Sequence, residues 1–312
     1  MNPGGAVNPG SAGSAASRVL RVVRVGASVT VQDAGRPGLA ALGVTRSGAA
    51  DLAALRLANR LVGNPPDTAG LEVLLGGLAV RAGGAHLVLA VTGAGCAVRI
   101  DGRTQAAAAV LDLAPGSLLE LGPAVTGVRC YLAVRGGIAV APVLGSRSRD
   151  TLAGLGPDPV RPGDLLPIGP SPSRWPEVDA VALPAPADPA AVVELRAVPG
   201  PRADWLDGAS TAALWSAGWT VSPDGDRVGI RLLGPRLHRP PELAATELAS
   251  EGLLAGAVQV PPGGPVLFLA DHPVTGGYPV AAVVLPEDLG AAAQLRPGQR
   301  IRFRGRPPLR AG

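Results

Sequence analysis

The chain is 312 residues long with a formal net charge of +4 at pH 7, from 28 arginines against 24 acidic side chains, and it contains no lysine. Without lysine there is no Schiff-base or catalytic lysine, no attachment point for biotin, and no P-loop of the GxxxxGK[ST] type. The sequence pI of about 10.0 comes from arginine, which stays charged to very high pH; no basic block interleaved with aromatics accompanies it, so nucleic-acid binding is not expected.

Residues 1–17 are Gly, Ser, Ala, Asn and Pro after the initial Met and Val7, with no apolar run of a secretory signal, and a disordered tail is expected there. Order is expected from the Val-rich run 19–25 onward. Hydrophobic residues make up 47% of the chain but aromatics only 3%, so the core must be built from Val, Leu and Ala. The 44 glycines and 33 prolines punctuate short apolar runs, which implies many turns and many short strands. No apolar run approaches the roughly 18 residues of a spanning helix, so a soluble, cytoplasmic protein with no membrane association is expected. Cys96 and Cys130 fall in predicted buried strands, with neither a disulfide framework nor a zinc spacing.

The first clear helix is 49–62, where Leu52, Leu55, Ala58, Leu61 and Val62 recur at helical spacing; Ser47 is its predicted N-cap, and Gly63-Asn64-Pro65 stops it. Strands are predicted at 71–75, 87–91, 128–134, 192–198, 228–233, 257–260, 266–270, 280–284 and 300–304, with shorter helices around 203–215 and 287–294. GAGCA at 93–97 reads as a tight hairpin rather than a dinucleotide site, since it lacks the third glycine and the helix that follows. In 300–304, Ile301 and Phe303 alternate with Arg300, Arg302 and Arg304, which puts the arginines on a solvated face. APGSLLELG (114–122), RPGDLLPIG (161–169) and RPGQRIRFRG (296–305) each place a Pro-Gly turn before a strand. A Pro/Ala-rich run at 170–191 marks a connection, giving a first domain at 18–169 and a second at 192–306.

Four glycine-rich clusters carry the polar residues of interest. In 30–51, Asp33, Arg36, Ser47 and Asp51 sit in turns ahead of the helix, and Arg36, between glycine and proline, suits a bidentate grip on a carboxylate or a turn salt bridge to Asp33. In 58–77, Asn59 ends the helix, and Glu72 enters an apolar strand either paired to an arginine or with a raised pKa. In 131–150, Arg135 precedes a Gly-Gly turn, and Ser146, Arg147 and Ser148 form a donor cluster that suits an anion or a buried carboxylate. In 250–280, an apolar strand delivers Asp271 and His272 into a loop ending Thr275-Gly276-Gly277-Tyr278, a setting suited to acid–base work. No Cys/His metal spacing is present, and no metal site is predicted.

VQDAGRPG, SGAADLAALRLANRLVGN, LEVLLGG, AVRGGIAV, LGSRSRDTLAGLG, RPGDLLPIG, SEGLLAGAVQVPPGG and ADHPVTGGYPV, in this order across about residues 22–304, resemble the signature of the family formed by KipA and the C subunits of 5-oxoprolinase. The domain is also called allophanate hydrolase subunit 2 or biotin-dependent carboxyltransferase domain, and it is similar to the second half of the carboxyltransferase region of urea carboxylase. The resemblance implies a mainly β protein, two cyclophilin-like β-barrel domains with a few short helices. It also implies ATP-dependent opening of the 5-oxoproline lactam to L-glutamate, in an assembly with an A subunit and a KipI-like B subunit, the latter being the direct partner. ATP with Mg2+ would act in the assembled complex, at a site in a partner or an interface. His272 and Asp271 would be catalytic. Arg36, Arg147, Ser146, Thr275, Gly276, Gly277, Tyr278 and Gln259 would bind substrate, supported by Asp33, Asp51, Asn59, Glu72 and Arg135. Two other classes share the resemblance: a carboxyltransferase component served by biotin on another protein, and a non-catalytic regulator that binds a KipI-like protein. Arg46 departs from the family pattern, which often has proline, serine or alanine there.

Overall fold

The computed structural model describes residues 18–176, 178–182 and 191–305. The first half contains β1 (Val19–Arg24), β2 (Ser28–Gln32), α1 (Leu52–Leu61), β3 (Gly70–Leu74), β4 (Ala79–Ala82), β5 (Leu87–Ile100), β6 (Arg103–Gln105), β7 (Val110–Leu113), β8 (Leu118–Val134) and β9 (Leu165–Pro167). These strands form one nine-stranded sheet in the order β2-β3-β8-β4-β1-β9, with β5 beside β8 and carrying β6 and β7. The 17-residue β8 is its spine: its start pairs with β4, its end with β3, and β5 runs along its length. Alternation along the strands buries Leu20, Val22, Leu71, Val73, Leu119, Cys130 and Leu132 in one core. By the same period of two, Arg129 and Tyr131 leave β8 on the opposite face, toward the second half.

That second half contains β10 (Val193–Pro199), α2 (Gly208–Ser216), β11 (Trp219–Gly225), β12 (Gly229–Leu233), β13 (Glu251–Gly252), β14 (Ala257–Gln259), β15 (Val266–Phe268), β16 (Thr275–Gly276), β17 (Val280–Val284), α3 (Leu289–Ala293) and β18 (Arg300–Arg304). Seven of these strands close a barrel in the order β10-β17-β14-β15-β12-β11-β18, while β13 and β16 form a separate two-stranded ribbon. Closure depends on β18, which pairs parallel with β10 and antiparallel with β11. As its pattern predicts, Ile301 and Phe303 are buried and the three arginines are exposed.

The mainly β architecture agrees with the sequence, but only one of the two halves closes. β9 pairs with β1, and on its far side it meets only the 137–139 segment, by an isolated bridge between Ile138 and Ile168 and not a second strand. Among the described residues the first sheet therefore does not close as a ring of paired strands. The three Pro-Gly turns do share a geometry, with Gly116, Gly163 and Gly298 all at positive φ. GAGCA is not a hairpin: it lies inside the continuous β5, where register shifts between Gly93 and Val98 bend the strand along β8. The free thiols of Cys96 and Cys130 meet there, with Sγ atoms 3.5 Å apart.

Helix α1 begins later than its apolar pattern suggests. Asp51, not Ser47, is the N-cap, its carboxylate accepting from the Ala54 amide at 3.0 Å. Ser47 has φ 52 and sends its hydroxyl elsewhere. The amides of Ala49, Ala50 and Asp51 are held by Asp33 O, Glu72 and the Tyr131 hydroxyl, which fixes the approach to the helix from outside it.

Between β9 and β10, the described part of the 170–191 run is fastened to the first half. Arg135 donates to Pro172 O and Arg174 O and lies 4.1 Å from the Trp175 ring centroid, and Ala108, Val110, Asp179 and Val181 share backbone hydrogen bonds. Residues 177 and 183–190 of that run, and the expected tail 1–17, lie outside the described residues. No helix among the described residues is long and apolar enough to cross a membrane.

Candidate functional site: an interdomain cleft and the seam behind it

Where the halves meet, a polar network is buried. Arg227, in the turn between β11 and β12, donates from Nε and Nη2 to the two carboxylate oxygens of Asp271 at 2.9 and 3.0 Å. Its Nη1 donates to Glu72 Oε1 at 2.5 Å, and Nη2 also reaches Gly48 O at 2.5 Å. Asp271 accepts further from Ser47 Oγ at 2.6 Å, Thr151 N at 2.8 Å and Thr151 Oγ1 at 2.7 Å. Glu72 Oε2 accepts from the Tyr131 hydroxyl at 2.8 Å and from Ala50 N at 2.9 Å, with Arg129 Nε 3.4 Å from Oε1. Two carboxylates and two guanidiniums thus share one buried volume, contributed by both halves.

Burial alone would push both carboxyls up. For Glu72 the Arg227 and Arg129 charges and the Ala50 amide more than reverse this; for Asp271, Arg227, Ser47 and Thr151 do so, and both acids end below their ordinary values. Burial and the Glu72 charge push the Tyr131 hydroxyl well above its ordinary value, so it stays a donor. A second clamp comes from Gln294 after α3. Its Oε1 accepts from Val128 N and Arg129 N, and its Nε2 donates to Asp51 and to Arg129 O.

In front of this seam opens a cleft of about 1080 Å3. The first half supplies the 34–50 loop and the outer face of α1 (Leu52, Ala53, Arg56, Arg60); the second supplies 253–255, 269–274 and 286–290. The floor is apolar, from residues such as Leu52, Leu253, Leu269 and Val274. Several of its polar groups are already engaged: Thr45 donates to Asp150, Ser47 to Asp271, and Arg56 to Asp67. His272 is different. Its Nδ1 lies 2.8 Å from Pro273 O, a group that can only accept, so Nδ1 carries the hydrogen and Nε2 of the neutral ring keeps its lone pair. An imidazole with a fixed tautomer and a free basic nitrogen in a largely apolar cleft is equipped to take and return a proton.

The structure brings His272 and Arg36 to this one cleft and sends most other sequence-predicted residues elsewhere. Arg36 makes no ion pair with Asp33. Only 2% exposed, it donates from Nη2 to Ser148 O at 2.5 Å and from Nε to Val143 O at 3.4 Å, while Nη1 has no hydrogen-bond partner. Asp271 has both oxygens filled by Arg227, Ser47 and Thr151, a geometry that commits it to the seam rather than to orienting His272 or meeting a phosphate. Asp33 collects Ser146 Oγ, Ser148 Oγ and Arg147 N at 2.6 Å each, so Ser146 serves a buried carboxylate; Arg147 Nε donates to Val140 O.

Thr275 and Gly276 form β16 against β13, and Gln259 donates to Tyr278 O at 2.9 Å; none of these residues, nor Gly277, lines the cleft. A Cβ at Gly276 would stand 2.6 Å from Gln259 Nε2, so the end of that side chain would have to shift. Asn59 donates to Pro66 O and Thr68 O, Arg135 holds Val62 O at the end of α1, and Asp51 caps that helix. Glu72 is paired, the first of the two readings its sequence allows. Sequence reasoning misses Arg227, Gln294, Tyr131 and Thr151. Arg227 lies in SPDGDRVGI, which reads as an ordinary solvated turn.

Residues 42–305 match the family described as "Carboxyltransferase domain, subdomain A and B". The chain is 39% identical to the C subunit of 5-oxoprolinase from Escherichia coli K12 and 33% identical to that of Haemophilus influenzae, each over 91% of this chain and 90% of the relative. It is 30% identical to the urea amidolyase of Saccharomyces cerevisiae, spanning only 16% of that protein. The crystal structure of the K. lactis urea amidolyase superposes with TM-score 0.87 at 28% identity, over 94% of this chain and 19% of that one. Another solved chain gives TM-score 0.81 at 36% identity over 93% of this chain, which spans 56% of that one. The chain belongs to the carboxyltransferase domain family, subdomains A and B.

Proposed function

We propose that this chain is the C subunit of a cytoplasmic, ATP-dependent 5-oxoprolinase, opening the 5-oxoproline lactam to L-glutamate together with an A subunit and a directly bound, KipI-like B subunit. The observation that carries this reading is the 39% identity to a 5-oxoprolinase C subunit over nine-tenths of both chains. The cleft supplies a place for the substrate. His272 Nε2 would take a proton from the attacking water and return it to the departing ring nitrogen, and Arg36 would face the substrate carboxylate from the wall. The residues present do not fit Mg-ATP: the chain has no lysine, and no group of three or more His, Cys, Asp or Glu suited to a metal occurs among the described residues. Nucleotide and Mg2+ would act in the assembled complex, at a site in a partner or an interface, and no step on this chain runs through them.

The test is reconstitution with both partner proteins, following glutamate release from 5-oxoproline. Release that requires ATP and all three chains supports the reading; its absence from a correctly assembled complex overturns it. The TM-score of 0.87 to the urea amidolyase structure favours a second reading, a carboxyltransferase served by biotin on another chain. Transfer of label from carboxybiotin to urea in place of glutamate formation would select it.

A further inference from the structure

We propose that Arg227 is the positioning residue of the cleft, a single guanidinium that holds the His272 wall in register with the opposite wall so that the site is built before a ligand arrives. Arg227 does not itself line the cleft, yet each of its acceptors is next to residues that do. Asp271 is followed by His272. Gly48 is flanked by Ser47 and Ala49, both in the wall. Glu72, the third acceptor, also holds the amide of Ala50, another wall residue.

On its own side Arg227 is fixed by the barrel. Its carbonyl accepts from Asp271 N at 3.0 Å, and the Val228 carbonyl accepts from Leu269 N at 2.9 Å, tying the β11–β12 turn to the end of β15. The chain of constraint therefore runs from the closed barrel through Arg227 to the 47–50 segment of the open sheet. A planar fork spreads its donors over acceptors on three segments, two of them on one carboxylate, whereas a lysine ammonium presents its three donors from one point. Buried ion pairs are weak evidence of stability, and fixing register is their best-attested use.

The test uses the full chain, as Arg227→Lys and, as a milder variant, Thr151→Val, which removes one donor to Asp271 and leaves Arg227 in place. Amide hydrogen exchange should accelerate by about tenfold or more at 45–51 and 269–274 in Arg227→Lys, and by less in Thr151→Val, while β8 and β17 keep wild-type rates. In the reconstituted complex, kcat per folded molecule should fall roughly 10- to 100-fold in Arg227→Lys with KM for 5-oxoproline little changed, since His272 is displaced and not removed. This kinetic arm rests on the function proposed above; the exchange arm does not, so a wild-type complex that makes no glutamate sinks that function while exchange still decides the role of Arg227. Unchanged exchange in both segments, or a uniform rise that includes β8 and β17, overturns the proposal. If Arg227→Lys does not fold, Asp271→Asn, which removes the charge that Arg227 grips and keeps the side chain's shape, is read on the same two segments, and unchanged exchange there overturns the proposal.

Discussion

Asp271 and His272 are neighbours in sequence and opposites in situation. The carboxylate of Asp271 points back into the seam, wholly buried, and receives five hydrogen bonds from both halves. The imidazole of His272 lines the cleft, where Nδ1 is fixed by Pro273 O and Nε2 has no partner among the described residues. The same contrast separates seam from cleft as regions. The seam is dense with paired charge; the cleft wall is mostly apolar, and Thr45, Ser47 and Arg56 in it are already tied down. A carboxylate held charged by five donors resists taking up a proton until the pH is low, whereas a histidine with an unpartnered ring nitrogen carries no such constraint. Adjacency to a candidate catalytic group is therefore no guide to role; unused hydrogen-bonding capacity is a better one.

The sharpest way to break this contrast is Asp271→Ala. It leaves Arg227 with half its counter-charge and strands the Ser47 and Thr151 donors, so a loss of about 3–5 kcal/mol is expected, read by urea denaturation. A loss under about 1 kcal/mol, the level of ordinary surface substitutions, would mean that the seam is not the ion-pair network described.

Acid probes the same network without mutation. Glu72 and Asp271 have carboxyls held below their ordinary values, so their contribution is full above the unfolded pKa of about 4 and is lost as pH falls through the depressed folded values. Melting temperature should stay level from neutral pH down to about 4 and drop below it. Asp271→Asn should flatten part of that drop. A main fall between about pH 5 and 7 would point to other groups.

Arg36→Ala should have the next largest effect. The side chain is among the largest that are fully buried, and its loss leaves Ser148 O and Val143 O without their donor. About 1–3 kcal/mol is expected, with the 143–148 segment exposed to proteolysis. Binding studies on Arg36 variants need that stability control before any change in KM is assigned to substrate contact.

Short apolar runs bounded by turns made about half of the strands legible in the sequence, and β18, with arginines out and Ile301 and Phe303 in, is the one that a period of two marks most clearly. Barrel closure was not legible, since it depends on β18 finding two neighbouring strands and β9 only one strand and an isolated bridge. Ser47 had the chemistry of an N-cap, but its hydroxyl is claimed by Asp271, 224 positions away. Arg227 could not be singled out because nothing local distinguishes a turn arginine in solvent from one driven into another domain. Polar residues with long-range partners are where local reading ends, and the seam is made of them.

The smallest stability effect, and the most informative, is expected for His272→Ala. The ring lines the cleft, so its removal enlarges that cleft instead of leaving a closed void. Its one hydrogen bond is to the adjacent residue, Pro273, and no other segment depends on it. A change of about 1 kcal/mol or less is therefore expected, far below that for Asp271→Ala one position earlier. Activity should run the other way: loss of a general acid–base costs about 10²- to 10⁴-fold in rate, seen as lower kcat for glutamate release by the reconstituted complex with KM nearly unchanged. Two adjacent variants would then separate folding from chemistry. If His272→Ala unfolds the chain, or retains wild-type kcat, the cleft's free imidazole is not the proton carrier and the site must be sought elsewhere.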